Sequence, residues 1–273
     1  MLGKMLENVN KKHPLVHNIT NYVTVNDCAN ILLACGGSPI MSDDKADVED
    51  ITTVCGGLNI NIGTLNSSTI PAMFLAGKRA NALSHPVLLD PVGAGASLLR
   101  TSTATELLEK VKFSVIRGNI SEIKALAVGS GSTKGVDADE ADAVNDGNID
   151  SVIDFARKFS SRTQAVIAIT GAVDIVTDSS RTYIIRNGHP MMSKITGSGC
   201  MLSAMCTAYI TANPDEILTA TAAAVCAMGL CGEKAFAALL PGEGNSTYRN
   251  RLIDAVYNLD PEALERGARY EVR

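Results

Sequence analysis

Short β-type runs alternate with longer helical patterns along almost the whole chain, and this alternation restricts the possible folds more than any single motif. It is typical of a mostly parallel sheet that is covered by helices on both faces. Strands are predicted at residues 38–41, 57–63, 86–90, 113–118 and 165–171, followed by an antiparallel hairpin at 174–188. We therefore expect a three-layer α/β/α sandwich with a mostly parallel central sheet.

Helical patterns fill the intervals between these strands and continue after the hairpin. They lie at residues 21–34, 45–54, 68–83, 104–111, 119–126, 200–211, 215–237 and 246–258. The segment 129–150 is polar, glycine-rich and acidic, which predicts a long loop. Because the order of strands and helices resumes beyond it, we interpret residues 1–273 as a single domain.

The charge balance and the cysteines exclude several classes of protein. The chain has 24 Lys and Arg against 29 Asp and Glu without a long basic run, so no nucleic-acid or anionic-membrane partner is predicted. Its first residues lack the features of a secretory signal, which favours the cytoplasm. The apolar stretch 219–232 is too short to cross a bilayer and predicts a buried helix. Seven cysteines without a C-x-x-C pair argue against a disulfide framework and a structural zinc site.

Glycine or polar residues follow most of the predicted strands at their carboxyl ends. They include Ser42, Gly63, Asp90, Gly118 and Gly171. In open α/β sheets, ligands bind just outside the carboxyl ends of the strands. The sequence therefore predicts one crevice for a small molecule, built from widely separated residues.

Two glycine-rich segments resemble nucleotide-binding loops only superficially. GAGASL at 93–98 follows a strand, but it lacks the third glycine of a dinucleotide fingerprint and an acidic residue at the end of the next strand. GSGSTKG at 129–135 does not follow the order of a P-loop. An NAD-dependent oxidoreductase is therefore disfavoured.

Two acidic residues are candidates for a magnesium site. Asp90 ends a strand and begins DPVGAGA. Its carboxylate could bind Mg²⁺, or it could cap a helix or close a turn, and the spacing leaves both interpretations open. Glu122, in RGNISE, could orient water molecules bound to Mg²⁺ or form a capping box with Asn119, and the cap and the metal role are compatible. Arg117 in the same motif suits phosphate oxygens, because a guanidinium can bind them with two hydrogen bonds.

The segment TGSGC at 196–200 predicts an anion site at the start of an apolar helix. Its glycines expose the first backbone N–H groups of that helix, where the helix dipole favours negative charge. Cys200 would then stand beside a bound phosphate. The alternative is that Cys200 only begins a buried helix, and the residues alone do not decide between the two.

Seven blocks in order resemble a known family: PLVHNITNYVTVNDCANILLACGGSPIM, NIGTL, VLLDPVGAGA, IRGNISEI, KGVDA, AITGAVD and TGSGCMLSA. Together they are similar to the hydroxyethylthiazole kinase family of the ribokinase-like superfamily. The resemblance implies a ribokinase-like fold. It also implies ATP-dependent phosphorylation of the primary alcohol of 4-methyl-5-(2-hydroxyethyl)thiazole, a salvage step toward thiamine diphosphate.

The resemblance also implies roles for individual residues. Substrate positions are matched by Met41, Gly197 and, more weakly, Asn21, and ATP positions by Arg117 and Thr170. The Mg²⁺ region is matched by Asp90 and Glu122, and the catalytic position by Cys200. Members of the family are homotrimers with their substrate pockets at subunit interfaces, so Met41 is expected to reach a neighbouring pocket. Whether the thiol of Cys200 is ionised stays open, since a helix N-terminus lowers its pKa and a triphosphate raises it.

Two departures from the family pattern and two rival functions follow from the same residues. Ser198 replaces an alanine in the glycine loop, and an acidic segment, Ser42-Asp43-Asp44, follows Met41. One rival is a kinase for hydroxymethylpyrimidine or pyridoxal, although such relatives usually carry aspartate in place of Cys200. The other rival is a sensor that binds thiazole or ATP without turnover.

Overall fold

The computed structural model describes residues 1–129 and 144–273, and these residues form one sheet of nine strands. The strands are β1 (Leu15–Ile19), β2 (Ser38–Met41), β3 (Gly57–Asn61), β4 (Val87–Asp90), β5 (Val115–Gly118), β6 (Val166–Ile169), β7 (Asp174–Thr177), β8 (Thr182–Ile185) and β9 (Tyr270–Val272). Their order across the sheet is β2-β1-β3-β4-β5-β6-β7-β8-β9. The first six strands in this order pair in parallel, and the last three continue the sheet antiparallel. The predicted mostly parallel sheet is confirmed.

Helices cover both faces of this sheet. In the described part of the chain they are α1 (Leu2–Lys12), α2 (Val25–Ala34), α3 (Val48–Val54), α4 (Thr69–Ala82), α5 (Leu98–Lys110), α6 (Ile120–Val128), α7 (Ile149–Thr163), α8 (Ser198–Ala212), α9 (Ile217–Ala237), α10 (Asn245–Tyr257) and α11 (Pro261–Gly267). Helices α8 and α9 pack directly on one face, and α3, α4, α6 and α7 pack on the other. The predicted three-layer sandwich is therefore confirmed.

Each face of the sheet has its own hydrophobic core. The core under α8 and α9 includes Val16, Leu88 and Val115, and the core on the opposite face includes Leu58, Leu89 and Ile116. Strands β4 and β6 are buried along their whole length, which is why they read as continuous apolar runs. This burial holds the carboxyl ends of the parallel strands in fixed positions.

The longest helix is a core helix. Helix α9 is long and apolar enough to cross a membrane by length and composition, yet 83% of its most apolar window is buried inside the protein. A helix that is apolar on all sides is stable in water only when it is surrounded by other elements. The prediction of a buried helix at 219–232 is confirmed.

The structure corrects several predicted boundaries. Helix α2 begins at Val25 rather than residue 21, because the Asn21 carbonyl oxygen accepts the Thr24 N–H in a turn before the helix. Helix α5 begins at Leu98 rather than residue 104, because the Ser97 hydroxyl accepts the Arg100 N–H and caps it. Strands β1 and β9 and helices α1, α7 and α11 were not predicted from the sequence.

The predicted loop at 129–150 is wrong at its end, because α7 begins at Ile149. Residues 130–143, which include the KGVDA block and most of GSGSTKG, lie outside the described part of the chain.

Candidate active site

Five parallel strands end beside one another and bring polar residues together at one edge of the sheet. Asn21 lies just beyond β1, and Thr170 follows β6. Asn61 ends β3, Asp90 ends β4, and Arg117 lies in β5. Three hydrogen bonds and one ion pair join these side chains into one group. The structure thus brings together the strand-end residues that were predicted to form one crevice.

Asp90 is a fully buried carboxylate at the centre of this group. Its Oδ2 atom accepts hydrogen bonds from Asn61 Nδ2 and Ser203 Oγ, both at 2.8 Å, and the side chain caps no helix. Its Oδ1 atom has no hydrogen-bond partner among the described residues. Burial raises the pKa of Asp90 to about 6, although the nearby positive charge of Arg117 opposes this shift. The carboxylate is therefore electrostatically unsatisfied.

Arg117 lies across from Asp90 at the end of the next strand. Its Nη1 atom is 3.7 Å from Asp90 Oδ2, and its Nη2 atom donates to the Thr170 hydroxyl. Its Nε atom is buried without a partner among the described residues. The guanidinium also lies over Gly199, where an added Cβ would stand 2.6 Å from Nη1. Arg117 therefore contacts Thr170, the other candidate ATP residue, and the start of α8.

Glu122 forms the capping box that the sequence predicted. Its Oε2 atom accepts the Asn119 N–H at 2.9 Å, and the Asn119 side chain accepts the Glu122 N–H at 2.8 Å. Its Oε1 atom accepts the Gly93 N–H at 2.9 Å, which fixes the loop that follows Asp90. Both carboxylate oxygens are therefore engaged, and each keeps a lone pair for a further ligand.

The start of α8 presents backbone N–H groups toward this group of residues. Gly197 is the N-cap in a left-handed conformation, with a φ of 85°, and an added Cβ would stand 2.4 Å from Thr24 Cγ2. The first helical hydrogen bond runs from Met201 N to Gly197 O. The N–H groups of Ser198, Gly199 and Cys200 precede it and so lie in the turn where anions bind to helices.

Cys200 accepts two hydrogen bonds on its sulfur. Asn21 Nδ2 lies 3.2 Å and Asn61 Nδ2 lies 3.3 Å from Sγ. Burial is the largest cause that raises the pKa of this thiol, and the charge of Asp90 raises it further, while the neighbouring amides and Thr24 lower it. The sequence alone does not decide whether the thiol of Cys200 is ionised. In the free protein, the raised pKa favours the neutral thiol. The side chain is 9% exposed, so it is at the same time part of the core and part of the site.

A cavity of about 570 Å³ opens beside Arg117 and Thr170. It extends along α9 and the start of α8 and has the size of a typical small-molecule site. Asp174 lines it and accepts the Gly171 N–H at 2.8 Å, and burial raises the pKa of Asp174 to about 7. His189, also in the lining, stacks on Phe236 with ring centroids 3.6 Å apart.

Met41 lies apart from this hydrogen-bonded group, at the end of β2 on the edge of the sheet. It is half-buried and pairs in register with Asn18 of β1. The acidic segment after it is partly or fully exposed, and the Ser42 hydroxyl donates to Asp47 at 2.5 Å. Met41 therefore lies on the edge strand β2, packed against the core cluster that contains Cys200, and no hydrogen bond joins it to the residues around Cys200 in the described part of the chain.

The site contains residues that were not predicted. Asn61, Ser203 and Thr24 contact the candidate residues directly, and Asp174 lines the cavity. The alternating asparagines of LNINIG, polar side chains in an otherwise apolar strand, were the available signal for Asn61. Within residues 1–129 and 144–273, no three His, Cys, Asp or Glu side chains form a group able to hold a metal ion by themselves.

Comparisons with known proteins show to which family the chain is similar. The family described as "Hydroxyethylthiazole kinase family" matches residues 6–262. The hydroxyethylthiazole kinase of Clostridium acetobutylicum is 65% identical over 99% of both chains. The solved structure of the Pyrococcus horikoshii hydroxyethylthiazole kinase protein superposes with a TM-score of 0.87 at 33% identity, covering 100% of this chain and 98% of that one.

A more distant likeness concerns the fold alone. The structure of the Staphylococcus aureus pyridoxal kinase in complex with AMP-PCP and pyridoxal has a TM-score of 0.62 at 13% identity, covering 95% of this chain and 98% of that one. This likeness and the superposition on the Pyrococcus horikoshii structure confirm the predicted ribokinase-like fold. Because the family match spans most of the residues and the near relative aligns from end to end, the chain belongs to the hydroxyethylthiazole kinase family.

Proposed function

We propose that this chain transfers the γ-phosphoryl group of ATP to the primary hydroxyl of 4-methyl-5-(2-hydroxyethyl)thiazole, giving the thiazole phosphate, ADP and a proton. Membership of its family makes it a phosphotransferase. The observation that carries the proposal is the meeting of the Arg117–Asp90 pair with the open start of α8, next to Cys200. Phosphoryl transfer depends mainly on positioning and on neutralising charge, and these groups supply both.

ATP is placed with its phosphates at Arg117 and its nucleoside in the adjoining cavity. The guanidinium already contacts Thr170 and keeps Nε unpaired among the described residues, so it has donors left for phosphate oxygens. The cavity continues from these two residues toward His189, which offers an aromatic ring to the base. Arg117 and Thr170 are accordingly assigned to ATP binding.

The γ-phosphate is assigned to the start of α8. The N–H groups of Ser198, Gly199 and Cys200 lie at a helix N-terminus, which favours the negative charge of the transferring group. Gly197 and Gly199 leave room there, since a side chain at either position would collide with Thr24 or Arg117. The proposed phosphate position coincides with the anion site predicted from the glycine loop.

Asp90 and Glu122 are the residues that would hold Mg²⁺. The buried Asp90 Oδ1 atom lacks a partner among the described residues, and an unpaired carboxylate oxygen is a ligand that this cation prefers. Glu122 has both oxygens engaged by backbone N–H groups, so it suits contact through water. Two carboxylates suffice because Mg²⁺ usually completes its ligands with water and phosphate. When bound, the cation would neutralise charge on the phosphate oxygens.

Cys200 is assigned to the acceptor alcohol. Its sulfur lies between the α8 anion site and two asparagine amides, and its raised pKa keeps it protonated in the free protein. A neutral thiol can orient a hydroxyl by hydrogen bonding, while removal of the hydroxyl proton would require the thiolate. Since the transition state is loose, the alcohol can keep its proton until late in the transfer. Orientation is therefore the first role of Cys200.

The thiazole ring is placed against Gly197 and Asn21, with Met41 contributed by a neighbouring subunit of a homotrimer. Tyr22 and Val23 directly follow Asn21 and are 77% and 56% exposed. Large apolar side chains exposed beside a binding site are typical of a surface that another chain covers. Met41 lies at the end of the edge strand β2, which suits a role across such an interface.

The cytoplasm is the proposed location, because all seven cysteines are buried and unpaired, as is usual in a reducing compartment.

Product analysis tests the proposed activity. The purified chain is incubated with ATP, MgCl₂ and the thiazole alcohol, and mass spectrometry follows the thiazole phosphate while a coupled assay follows ADP. We expect the two products in equal amounts, and loss of both in Asp90→Asn and Arg117→Ala. Binding of ATP and thiazole without either product would instead indicate a sensor and contradict the proposal.

A further inference from the structure

Asn61 occupies a central position that the assigned roles do not use. It is the last residue of β3, it is buried, and it pairs in register with Asp90 of β4. Its Nδ2 atom donates to Asp90 Oδ2 at 2.8 Å and to Cys200 Sγ at 3.3 Å. Its single amide group therefore joins the carboxylate assigned to Mg²⁺ with the thiol assigned to the alcohol.

The orientation of this amide is fixed by its other atom. Asn61 Oδ1 accepts the Gly63 N–H at 2.9 Å and the Asn21 amide at 3.0 Å. A flipped amide would place two N–H donors against these two donors and an oxygen against the Asp90 carboxylate. An amide nitrogen carries two hydrogens, so one serves the carboxylate and one the sulfur. Movement of either partner must then disturb the other.

The sulfur is held from a second side by Asn21. The Asn21 amide donates to Cys200 Sγ at 3.2 Å, and its oxygen accepts the Thr24 hydroxyl at 3.0 Å. Two N–H donors thus occupy the acceptor positions of the sulfur, which leaves the thiol hydrogen to point elsewhere. Thr24, whose hydroxyl donates its hydrogen to Asn21 Oδ1, also lies beside the thiol. The two asparagines therefore hold the sulfur from two sides.

We propose that Asn61 is a positioning residue, which fixes the sulfur of Cys200 relative to the carboxylate of Asp90 so that the acceptor alcohol and the transferring phosphate stay aligned. This inference rests on the proposed function for its kinetic consequence. In-line transfer is sensitive to small displacements, and a shift of about 1 Å can cost about 100-fold in rate. Asn61 acts through its two partners and does not itself contact the phosphate.

A double-mutant cycle tests this coupling. Asn61→Leu removes both N–H donors at similar volume, and we expect kcat to fall by about 10- to 100-fold with a smaller change in the KM for the alcohol. In a Cys200→Ala background the same substitution is expected to lower kcat by a factor at least about five-fold smaller, because the thiol that Asn61 holds is already absent. Equal factors in both backgrounds would overturn the proposal. If Asn61→Leu does not fold, Asn61→Ala takes its place in the cycle.

The reactivity of the thiol supplies a readout that needs no substrate. Alkylation of Cys200 by iodoacetamide is measured against pH by mass spectrometry of the peptide that contains it. Losing an N–H donor destabilises the thiolate, so the Asn61→Leu profile is expected to shift to higher pH. An unshifted profile overturns the proposal whatever the substrate. A shifted profile in a protein that forms no thiazole phosphate would support the link and contradict the proposed function.

Asn59→Leu is the matched control. Asn59 lies two residues earlier on β3, is equally buried, and therefore has its side chain on the same face of the sheet. Its amide donates to Asn18 and not to Asp90 or Cys200. The Cys200 alkylation profile and the kcat of Asn59→Leu are expected to stay within about two-fold of the parent, because sites that share no partners behave independently. An equal shift in Asn59→Leu would attribute the effect to general loosening of β3 and overturn the proposal.

Discussion

Arg117 Nη1 lies 3.7 Å from Asp90 Oδ2, too far for a hydrogen bond, although both side chains are largely buried. Arg117 Nε and Asp90 Oδ1 lack hydrogen-bond partners among the described residues. Leaving such groups unpaired in a protein interior costs about 1–3 kcal/mol each. A buried ion pair that is both loose and unsatisfied is suited to accept a phosphate on one side and a cation on the other. The pH dependence of the enzyme follows from this pair.

The first prediction concerns the pH profile of kcat/KM for ATP. Burial raises the pKa of Asp90 from 3.8 to about 6, so the carboxyl of the free enzyme is protonated below that pH and loses its attraction for the proposed Mg²⁺. We expect kcat/KM to fall about ten-fold per pH unit below a pKa near 6. The acidic decline of the kcat profile is expected at lower pH than that of kcat/KM, since a bound cation lowers the pKa of Asp90.

Asp174→Asn separates Asp90 from the other buried carboxyl. The pKa of Asp174 is raised to about 7, and this residue also borders the cavity. The limb near pH 6 is expected to persist in Asp174→Asn. Its disappearance would assign the limb to Asp174 and contradict the role given to Asp90.

The second prediction concerns Gly199→Ala. The added Cβ would stand 2.6 Å from Arg117 Nη1 and 2.9 Å from Nη2, so the guanidinium has to leave its place over α8. The displaced atoms end a flexible side chain, and the variant is expected to fold. We expect the KM for ATP to rise by about ten-fold, because the charge-assisted hydrogen bonds to phosphate are lost.

Gly244→Ala is the control for this variant, since an added Cβ there meets no heavy atom within 4 Å. Steady-state kinetics of both variants decide the question. An unchanged KM in Gly199→Ala would show that Arg117 need not contact the start of α8.

The third prediction tests whether the sulfur of Cys200 contributes to catalysis. Cys200→Ser is expected to lower kcat while the KM for the alcohol stays within about three-fold, because the smaller oxygen no longer meets both asparagine amides. Cys200→Asp is expected to remain active, since its carboxylate can accept the same two N–H donors. An unchanged kcat in Cys200→Ser would remove any catalytic role for the sulfur.

The fourth prediction tests the subunit interface. Tyr22→Lys places a charge in the exposed apolar surface beside Asn21, and we expect the proposed homotrimer to dissociate and kcat/KM for the thiazole to fall by at least about ten-fold. Tyr257→Lys is the control, because Tyr257 is exposed to a similar degree, 73% against 77%, at the end of α10. Sedimentation velocity reports the assembly. A Tyr22→Lys variant that sediments and reacts like the parent would contradict an interface at this position.

The sequence was informative about the strand ends and less so about the elements that carry no apolar run. Asp90 ends β4, Arg117 is the last residue but one of β5, and Thr170 directly follows β6, so their convergence at the carboxyl ends of the parallel strands could be predicted. Strand β1 was missed because His17 and Asn18, both buried, interrupt its apolar pattern. Helix α1 was missed although Leu2, Met5, Leu6 and Val9 carry helical spacing.

The contacts around Cys200 could not be read from the sequence. Asn61 and Asn21 are separated from Cys200 by 139 and 179 positions, and their contacts depend on how two strands and a helix pack. The direction of the thiol pKa shift also required the structure, because the helix start lowers the pKa while burial and Asp90 raise it. Local patterns name candidate groups, and packing decides which of them touch.

The central claim is that this site phosphorylates a thiazole alcohol, and its most direct test is kcat/KM for three alcohols measured in parallel. The enzyme is supplied with ATP and Mg²⁺ and with 4-methyl-5-(2-hydroxyethyl)thiazole, hydroxymethylpyrimidine or pyridoxal. We predict that the thiazole alcohol is preferred by at least about 100-fold, the discrimination that a shaped pocket can supply. Equal or faster turnover of either other alcohol, or no turnover of the thiazole, would contradict the account.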